Sequence, residues 1–577
     1  MKARGHDRSA DVSLSPGPAA GVGMAGGVSS PGRSLHRWTR ELMHDRTKAL
    51  WLIPLAIVSA YLVVFLARLP HNITELTWDS DYASAFTVPE TLARTGTSGH
   101  TVIASSGQWV AMWFGLLTAR LPLHRQIWMV APTLLFIATT LIVGWSVAQI
   151  ATRRAAILAM LLALIASPVA LSYFLPANAH PTLYPCTASA GAYLVYLARG
   201  QGRRLVTLVL PPLMGIVLGT CVASDLLVVA AVVIPLGIIG VLAGFSREKR
   251  SRVLALSALV TAGVAIPVAK LTAGIMHSQG FLLVETPAKA VALSELPERA
   301  RLLFNGLRML FNGTYGPGRT DPLSGSVGIV STFVMSIALL ALLLYGGYTA
   351  ATFIWANLRR DSERTPTRLA RSVHVVYWAT SAVGVCGAFW VAAETGGGTD
   401  LHSSYYATVI FSVAAVIPLL LSSGSLARRL IPIGATIFFA ASLIRLPGDY
   451  LNIGGAPAAT ASAIVKAAKA NGATYGYGGY GEGSNLTWLT HEQVISRPVM
   501  ECSNPGGASI CPFYIESTPS WYVPRQRRTF LVVNSQEVWV KTLPSGLGKP
   551  IASYNFGPIS LYVYPYDIAS RLGPQQD

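Results

Sequence analysis

Charge is scarce in this sequence. Only 12% of its 577 residues are charged, about half the usual share for soluble proteins. So few charges could not cover the surface of a soluble chain this long, which excludes an array of soluble domains. Cysteine is scarce too, at five residues, which excludes a disulfide-built scaffold. Acids are outnumbered by bases, 26 to 44. No Walker-type phosphate loop and no Rossmann fingerprint occurs, so nothing points to a nucleotide. No internal repeat is visible, which weighs against a transporter built from repeats.

What the chain has is apolar length. Apolar residues make up 52% and mean hydropathy is +0.48. A membrane-crossing helix needs roughly 20 apolar residues. Eleven runs qualify, near 49–68, 126–148, 155–175, 183–199, 205–222, 225–245, 253–275, 327–356, 373–393, 405–423 and 429–446. The expected fold is a polytopic α-helical membrane protein of about 11 transmembrane helices.

The basic residues then act as a topology signal. Loops alternating to one side of these spans, with the N-terminal tail, hold 24 of the 44 bases and 7 of the 26 acids. An excess of Lys and Arg marks the cytoplasmic side. The N-terminus is therefore expected in the cytoplasm and the C-terminus outside, and the net charge of +18 does not imply a nucleic-acid partner. Arg outnumbers Lys and Ala and Gly abound, as in high-GC bacterial genomes, so the expected location is a bacterial plasma membrane.

Three parts follow. Residues 1–48, rich in Gly, Ser, Pro and Arg, read as a disordered cytoplasmic tail. Residues 49–446 form the transmembrane domain, with long external loops at 69–125 and 276–326. Residues 447–577 form an extracytoplasmic C-terminal domain of small α/β type. Its expected strands are Thr474–Tyr480, Thr529–Asn534 and Ser560–Tyr564. Short helices are expected at Ser84–Arg94, Gln108–Leu121 and Leu302–Phe311, the last two suited to a membrane surface. Cys502 and Cys511 lie in the polar C-terminal region and suit a disulfide if that region faces an oxidising space. Cys186, Cys221 and Cys386 lie in apolar runs and read as small core residues.

The sharpest chemical signal is Thr77-Trp78-Asp79-Ser80-Asp81-Tyr82, just beyond the first span. Acids this close to lipid carry a solvation cost unless water, a cation or a partner meets them. Two such acids can take a proton from an attacking hydroxyl. They can also hold a divalent cation opposite a phosphate leaving group. In an extended segment residues two apart face the same side, so either acid could serve. The plainer reading is a solvated loop.

Other polar residues at the external boundary carry two readings each. His180 follows Pro176-Ala177-Asn178-Ala179 and is either a phosphate or acceptor contact or an ordinary turn residue. Asp225 reads as a helix cap. Lys270 either snorkels or faces a lipid phosphate. His402 lies by Gly396-Gly397-Gly398, in a loop that either touches substrate or merely connects spans.

One span, an acidic pair, interfacial helices, many further spans and a C-terminal domain outside: this order resembles the GT-C superfamily of integral membrane glycosyltransferases. The likeness is greatest to the protein-mannosyltransferase and aminoarabinose-transferase branch. There an acidic pair followed by aromatics stands in the first external loop, as Asp79-Ser80-Asp81-Tyr82 does here. Gly472-Ala473-Thr474-Tyr475-Gly476-Tyr477-Gly478-Gly479-Tyr480, then Leu486-Thr487 and Val494-Ile495-Ser496-Arg497-Pro498-Val499, is similar to the terminal domain of bacterial members. The sequence departs from the family where an Arg-Tyr pair often opens a late span; His402-Ser403-Ser404-Tyr405-Tyr406 stands there instead.

The resemblance implies a sugar donor linked to polyprenyl phosphate and an extracytoplasmic acceptor: a cell-wall glycan, a lipid or a protein. It implies displacement with inversion, Asp79 as base, and Asp81 assisting or holding Mg or Mn. Tyr82, His180, Lys270, His402 and Tyr405 are the candidate substrate contacts. Two rival functions remain at this stage. One is a transporter or flippase of a lipid-linked substrate, which should carry acids at mid-membrane, where these spans have almost none. The other is a non-catalytic scaffold in which Asp79 and Asp81 are dispensable.

Overall fold

The computed structural model describes residues 52–76, 80–96, 101–103, 108–175, 180–200, 204–283, 290–314, 325–358, 365–392, 404–446, 455–502, 510–536 and 539–574. The expected tail at 1–48 lies outside them.

Helix α1 (Leu52–Leu76) is followed by α2 (Ser80–Thr95), β1 (Thr101–Ile103) and α3 (Gln108–Thr118). Then come α4 (His124–Ile150), α5 (Arg153–Leu164), α6 (Pro168–Phe174), α7 (Leu183–Arg199) and α8 (Arg204–Ser224). A π turn at Val229–Val233 leads into α9 (Ile234–Gly244), then α10 (Lys249–Ser278) and β2 (Phe281–Leu283). The remaining helices of the bundle are α11 (Leu296–Leu310), α12 (Ser326–Leu358), α13 (Pro366–Val391), α14 (Val409–Val416) and α15 (Ser425–Arg445).

Among the described residues seven helical stretches are long and apolar enough to cross a membrane. They are α4, most of α8, α10, α12, α13, the stretch Ser404–Ser422 around α14, and α15. All eleven expected spans fall on helices. The other four fall short for visible reasons. The apolar parts of α1 and of the π turn with α9 are short, Ile53–Ala67 and Val229–Gly244. α7 has 17 residues. The expected span at 155–175 is two helices bent by 84°. That bend is written in Ser167-Pro168. Proline has no N–H to continue a helix and fits the first turn of a new one. Ser167 caps that turn, its Oγ accepting from Ala170 N at 3.1 Å. The Tyr61 hydroxyl on α1 donates to the Ala166 carbonyl at the break, at 3.1 Å. A broken helix in an apolar bundle is tolerated when its freed carbonyls find such donors.

Small residues set the close contact between α8 and α10. A Cβ on Gly219 of α8 would lie 2.6 Å from the Ala265 carbonyl of α10, and one on Gly215 would lie 2.7 Å from Val264. Two glycines four apart let the backbones approach, the packing that replaces hydrophobic drive between helices in lipid. Leu208, Leu213 and Ile216 on α8 and Leu256, Leu259 and Leu271 on α10 are exposed. Such apolar outer surface suits lipid.

The C-terminal part contains α16 (Gly455–Ala470), β3 (Tyr475–Gly478), α17 (Tyr480–Leu489), β4 (Ile495–Glu501), β5 (Ile510–Pro512), β6 (Thr529–Asn534), β7 (Ala552–Phe556) and β8 (Ile559–Tyr564). The strands form one sheet in the order β5-β4-β3-β6-β8-β7. β3 runs parallel to β4 and β6, and the other pairs are antiparallel. The alternation in Thr529-Phe530-Leu531-Val532-Val533 serves both faces. Phe530 and Val532 pack with Ala461, Ile464 and Ala468 of α16, while Leu531 and Val533 pack with Tyr477, Val499 and Ile568. Gly483 of α17 lies so close to β4 that a Cβ would sit 2.6 Å from the Pro498 backbone. Cys502 and Cys511 form the expected disulfide at the end of the β4–β5 ladder. Cys186 and Cys221 are buried, as read from the sequence, and Cys386 is partly buried.

Candidate functional site

The acidic motif leads into α2. Asp79 lies outside the described residues. Ser80 opens the helix and Asp81 and Tyr82 follow within its first turn. Asp81 is thus helical and not extended, and the relative direction of the two acids lies outside the described residues. The helix also begins four residues before the expected Ser84.

The sheet domain clamps this helix along its length. Ser84 Oγ donates to Glu516, whose Oε2 also accepts from the Tyr480 hydroxyl at 2.5 Å. Phe86 meets Trp488 edge-on with ring centroids 4.4 Å apart, and the Arg125 guanidinium covers the same indole at 4.1 Å. Thr91 Oγ1 accepts from Trp521 Nε1 at 3.1 Å, and Arg497 stacks over that indole at 4.1 Å. Val88 and Leu92 share an apolar cluster with Trp521, Trp109, Met112, Met276 and Phe281. One helix thus touches the sheet domain, α3 and the end of α10 at once.

At the far end of α2, Arg94 pairs with Glu90 and, at 3.1 Å, with Glu492. His124 Nε2 lies 3.7 Å from Glu90. Burial, then the hydrogen bond and charge of Glu492, push the Glu90 carboxyl from its ordinary 4.5 up to about 8, against Arg94 and Arg497. Burial opposes charge on Glu492 too, but the bond from Glu90 and the Arg94 and Arg497 guanidiniums outweigh it and hold that carboxyl low. Two carboxyls in contact share a proton in this way.

A second polar centre lies at the same end of the bundle. His180 is 5% exposed and Asp225 1%. His180 Nδ1 stands 2.9 Å from Asp225 Oδ2. Asp225 Oδ1 accepts from Leu227 N at 2.9 Å, so the expected cap is present and the carboxylate does a second job as well. The Tyr405 ring lies against the imidazole, centroids 4.7 Å apart. His180 Nε2 is buried and has no hydrogen-bond partner among the described residues. The link to α2 runs through Ser224, whose Oγ accepts from Val110 N in the first turn of α3 at 3.2 Å. Ala223 packs on the cluster that holds Val88 and Leu92.

Of the sequence candidates, the structure brings His180 and Tyr405 together and adds Asp225. Lys270 is not with them: it is exposed on α10 beside Leu271, itself 63% exposed. His402 lies outside the described residues. No group of three or more His, Cys, Asp or Glu that could hold a metal ion occurs among the described residues. The side chain of Asp81, the residue expected to assist the base or hold Mg or Mn, lies outside those described. Sequence reasoning missed Asp225 as a partner of His180, and it missed Glu90, Glu492 and Glu516 altogether. Each makes a contact spanning between 45 and 432 positions, which no local pattern announces.

Fold and site together define a multi-pass helical membrane protein whose α/β domain is docked on the helices between its spans. Two solved structures of an oligosaccharyltransferase from the archaeon Archaeoglobus fulgidus align loosely with it. One, tethered with an acceptor peptide containing the NVT sequon through a disulfide bond, gives a TM-score of 0.40 and 13% identity over 82% of this chain and 69% of that one. The other, AglB with an inhibitory peptide and a dolichol-phosphate, gives 0.39 and 15% identity. That alignment covers 76% of this chain and 64% of the other, just under two thirds of its length. No protein-family model and no curated protein sequence matches the chain.

Proposed function

We propose that this chain is a membrane glycosyltransferase of the GT-C type. It moves a sugar from a polyprenyl-phosphate-linked donor to an acceptor outside a bacterial plasma membrane, a cell-wall glycan, a lipid or a protein, with inversion. The branch that includes protein mannosyltransferases rests on the motif residues alone.

The observation that carries the reading is the clamp on α2. The helix that starts inside the acidic motif is held by Glu516, Trp488 and Trp521 of the sheet domain and by the apolar cluster around Trp109. A transfer site needs reacting groups fixed to within a fraction of an ångström. A solvated loop needs no such support. In this reading Asp79 takes the proton of the acceptor hydroxyl as that oxygen attacks the anomeric carbon. The phosphate leaves from the opposite face with the bonding pair. Asp81 assists the base or holds a divalent cation, which would supply charge opposite the leaving phosphate. Tyr82 borders the pair in sequence and contacts the sugar.

The test is transfer from polyprenyl-phosphate sugars by the purified full chain in lipid. Asp79→Asn should lower the rate about a hundred- to ten-thousandfold, the usual worth of a general base. Asp81→Asn should lower it too, and added Mg or Mn should restore part of that loss if Asp81 holds the cation. Full activity in the double variant would end the acidic-pair mechanism.

A further inference from the structure

The His180–Asp225 pair is built as a site for one more atom. A carboxylate only accepts hydrogen bonds, so Asp225 Oδ2 at 2.9 Å fixes the Nδ1 proton of His180. Asp225 is itself fixed, its other oxygen taken by the Leu227 N–H. Tyr405 closes one face of the ring. Every group around the imidazole thus sets its tautomer and its direction, and Nε2 is left buried without a partner among the described residues. A buried polar nitrogen is expected to be paired. A packing histidine with no ligand would need neither a fixed tautomer nor a carboxylate 45 residues away.

We infer that His180 is a phosphate-binding residue, its buried Nε2 sharing a hydrogen bond with a phosphate oxygen, with Asp225 as its positioning residue. A hydrogen bond to an ionised phosphate is of the charge-assisted kind. The position suits a phosphate carried on a lipid. His180 lies between α6 and α7, and Asp225 directly follows the membrane-crossing α8. That end is the one that meets α3 and the sheet domain. The inference deepens the reading above and rests on it for the lipid-linked donor, but phosphate capture can be measured without any transfer.

The experiment uses the purified full chain in nanodiscs of a neutral phospholipid, titrated with farnesyl phosphate and, separately, with inorganic phosphate, by calorimetry. The wild type should bind farnesyl phosphate. His180→Phe keeps a flat aromatic ring and removes both nitrogens, and should weaken binding about ten- to a hundredfold, the worth of one hydrogen bond to a charged group. Asp225→Asn keeps the shape and removes the charge, and should weaken binding in the same direction. The unfolding midpoint should stay within a few degrees in at least one variant, which a purely structural pair would not allow. Binding of inorganic phosphate as tight as that of farnesyl phosphate, lost in the same variants, would keep the site and make its ligand a free phosphate. Unchanged affinity in a folded His180→Phe or Asp225→Asn variant would overturn the assignment. Wild-type binding that depends on His180, in a protein that transfers no sugar, would fault the glycosyltransferase reading and leave this one standing.

Discussion

At the level of single residues, what could be read from the chain was local. Cys502 and Cys511 are nine apart in a polar segment, and they are bonded. A loop that short should contribute about 2–3 kcal/mol by constraining the unfolded chain. Cys502→Ser is expected to lower the unfolding midpoint by a few degrees, and mass spectrometry of protein purified without reductant should find no free thiol at either position. Free thiols at both would remove the bridge. Asp225 shows the opposite case. Its cap on Leu227 N follows from residues two apart, whereas its bond to His180 depends on how α7 and α8 pack and leaves no trace in spacing. His180 itself was visible only as a polar residue beside apolar runs. Cys186 and Cys221, both buried, needed no more than their apolar surroundings to be read.

At the level of elements, hydrophobic length carried the bundle and local chemistry moved its boundaries. The break at Ser167-Pro168 had its signal in the chain, a cap followed by proline, but uninterrupted hydropathy across 155–175 outweighed it. α2 was expected to start at Ser84 and starts at Ser80. β6 matches its expected bounds, but β4 was missed because Arg497 and Pro498 break the strand pattern. The end of α2 should respond to pH. The Glu90 pKa is raised from 4.5 to about 8 in the folded protein. Its contribution to docking is therefore fully present below pH 4.5 and is lost as pH rises through about 8. Glu492, held low, acts in the other direction, contributing above 4.5 and losing that as pH falls. Hydrogen exchange of Ser80–Thr95, corrected for the intrinsic rate, should show protection falling from about pH 5 to about pH 8. Glu90→Gln cannot titrate and should flatten that limb. An equal slope in the variant would assign the pH dependence elsewhere.

At the level of the whole molecule, the distribution of Lys and Arg gives a direct test of orientation. Reporter fusions after residues 250 and 365 are expected to read cytoplasmic, and fusions near 100, 300 and 520 external. One inversion among them would break the span count, and with it the placement of the acidic motif. The alternation of bases is what carries this expectation. The docking of the sheet domain on α2 was not legible, because it depends on which surfaces meet after the spans have packed. The small parallel ladder between the long loops has its own consequence. Thr101–Ile103 pairs with Phe281–Leu283, and Val102 bridges to Ser517. At about 5–20 residues per second of synthesis, roughly 20–80 s separate the translation of the first and last of these segments. The first loop emerges early and waits for both partners. A chain stalled before Glu516 already holds α1 to α17 but lacks Glu516, which accepts from Ser84, and Trp521, which donates to Thr91, so α2 gains its full set of partners only near the end of synthesis.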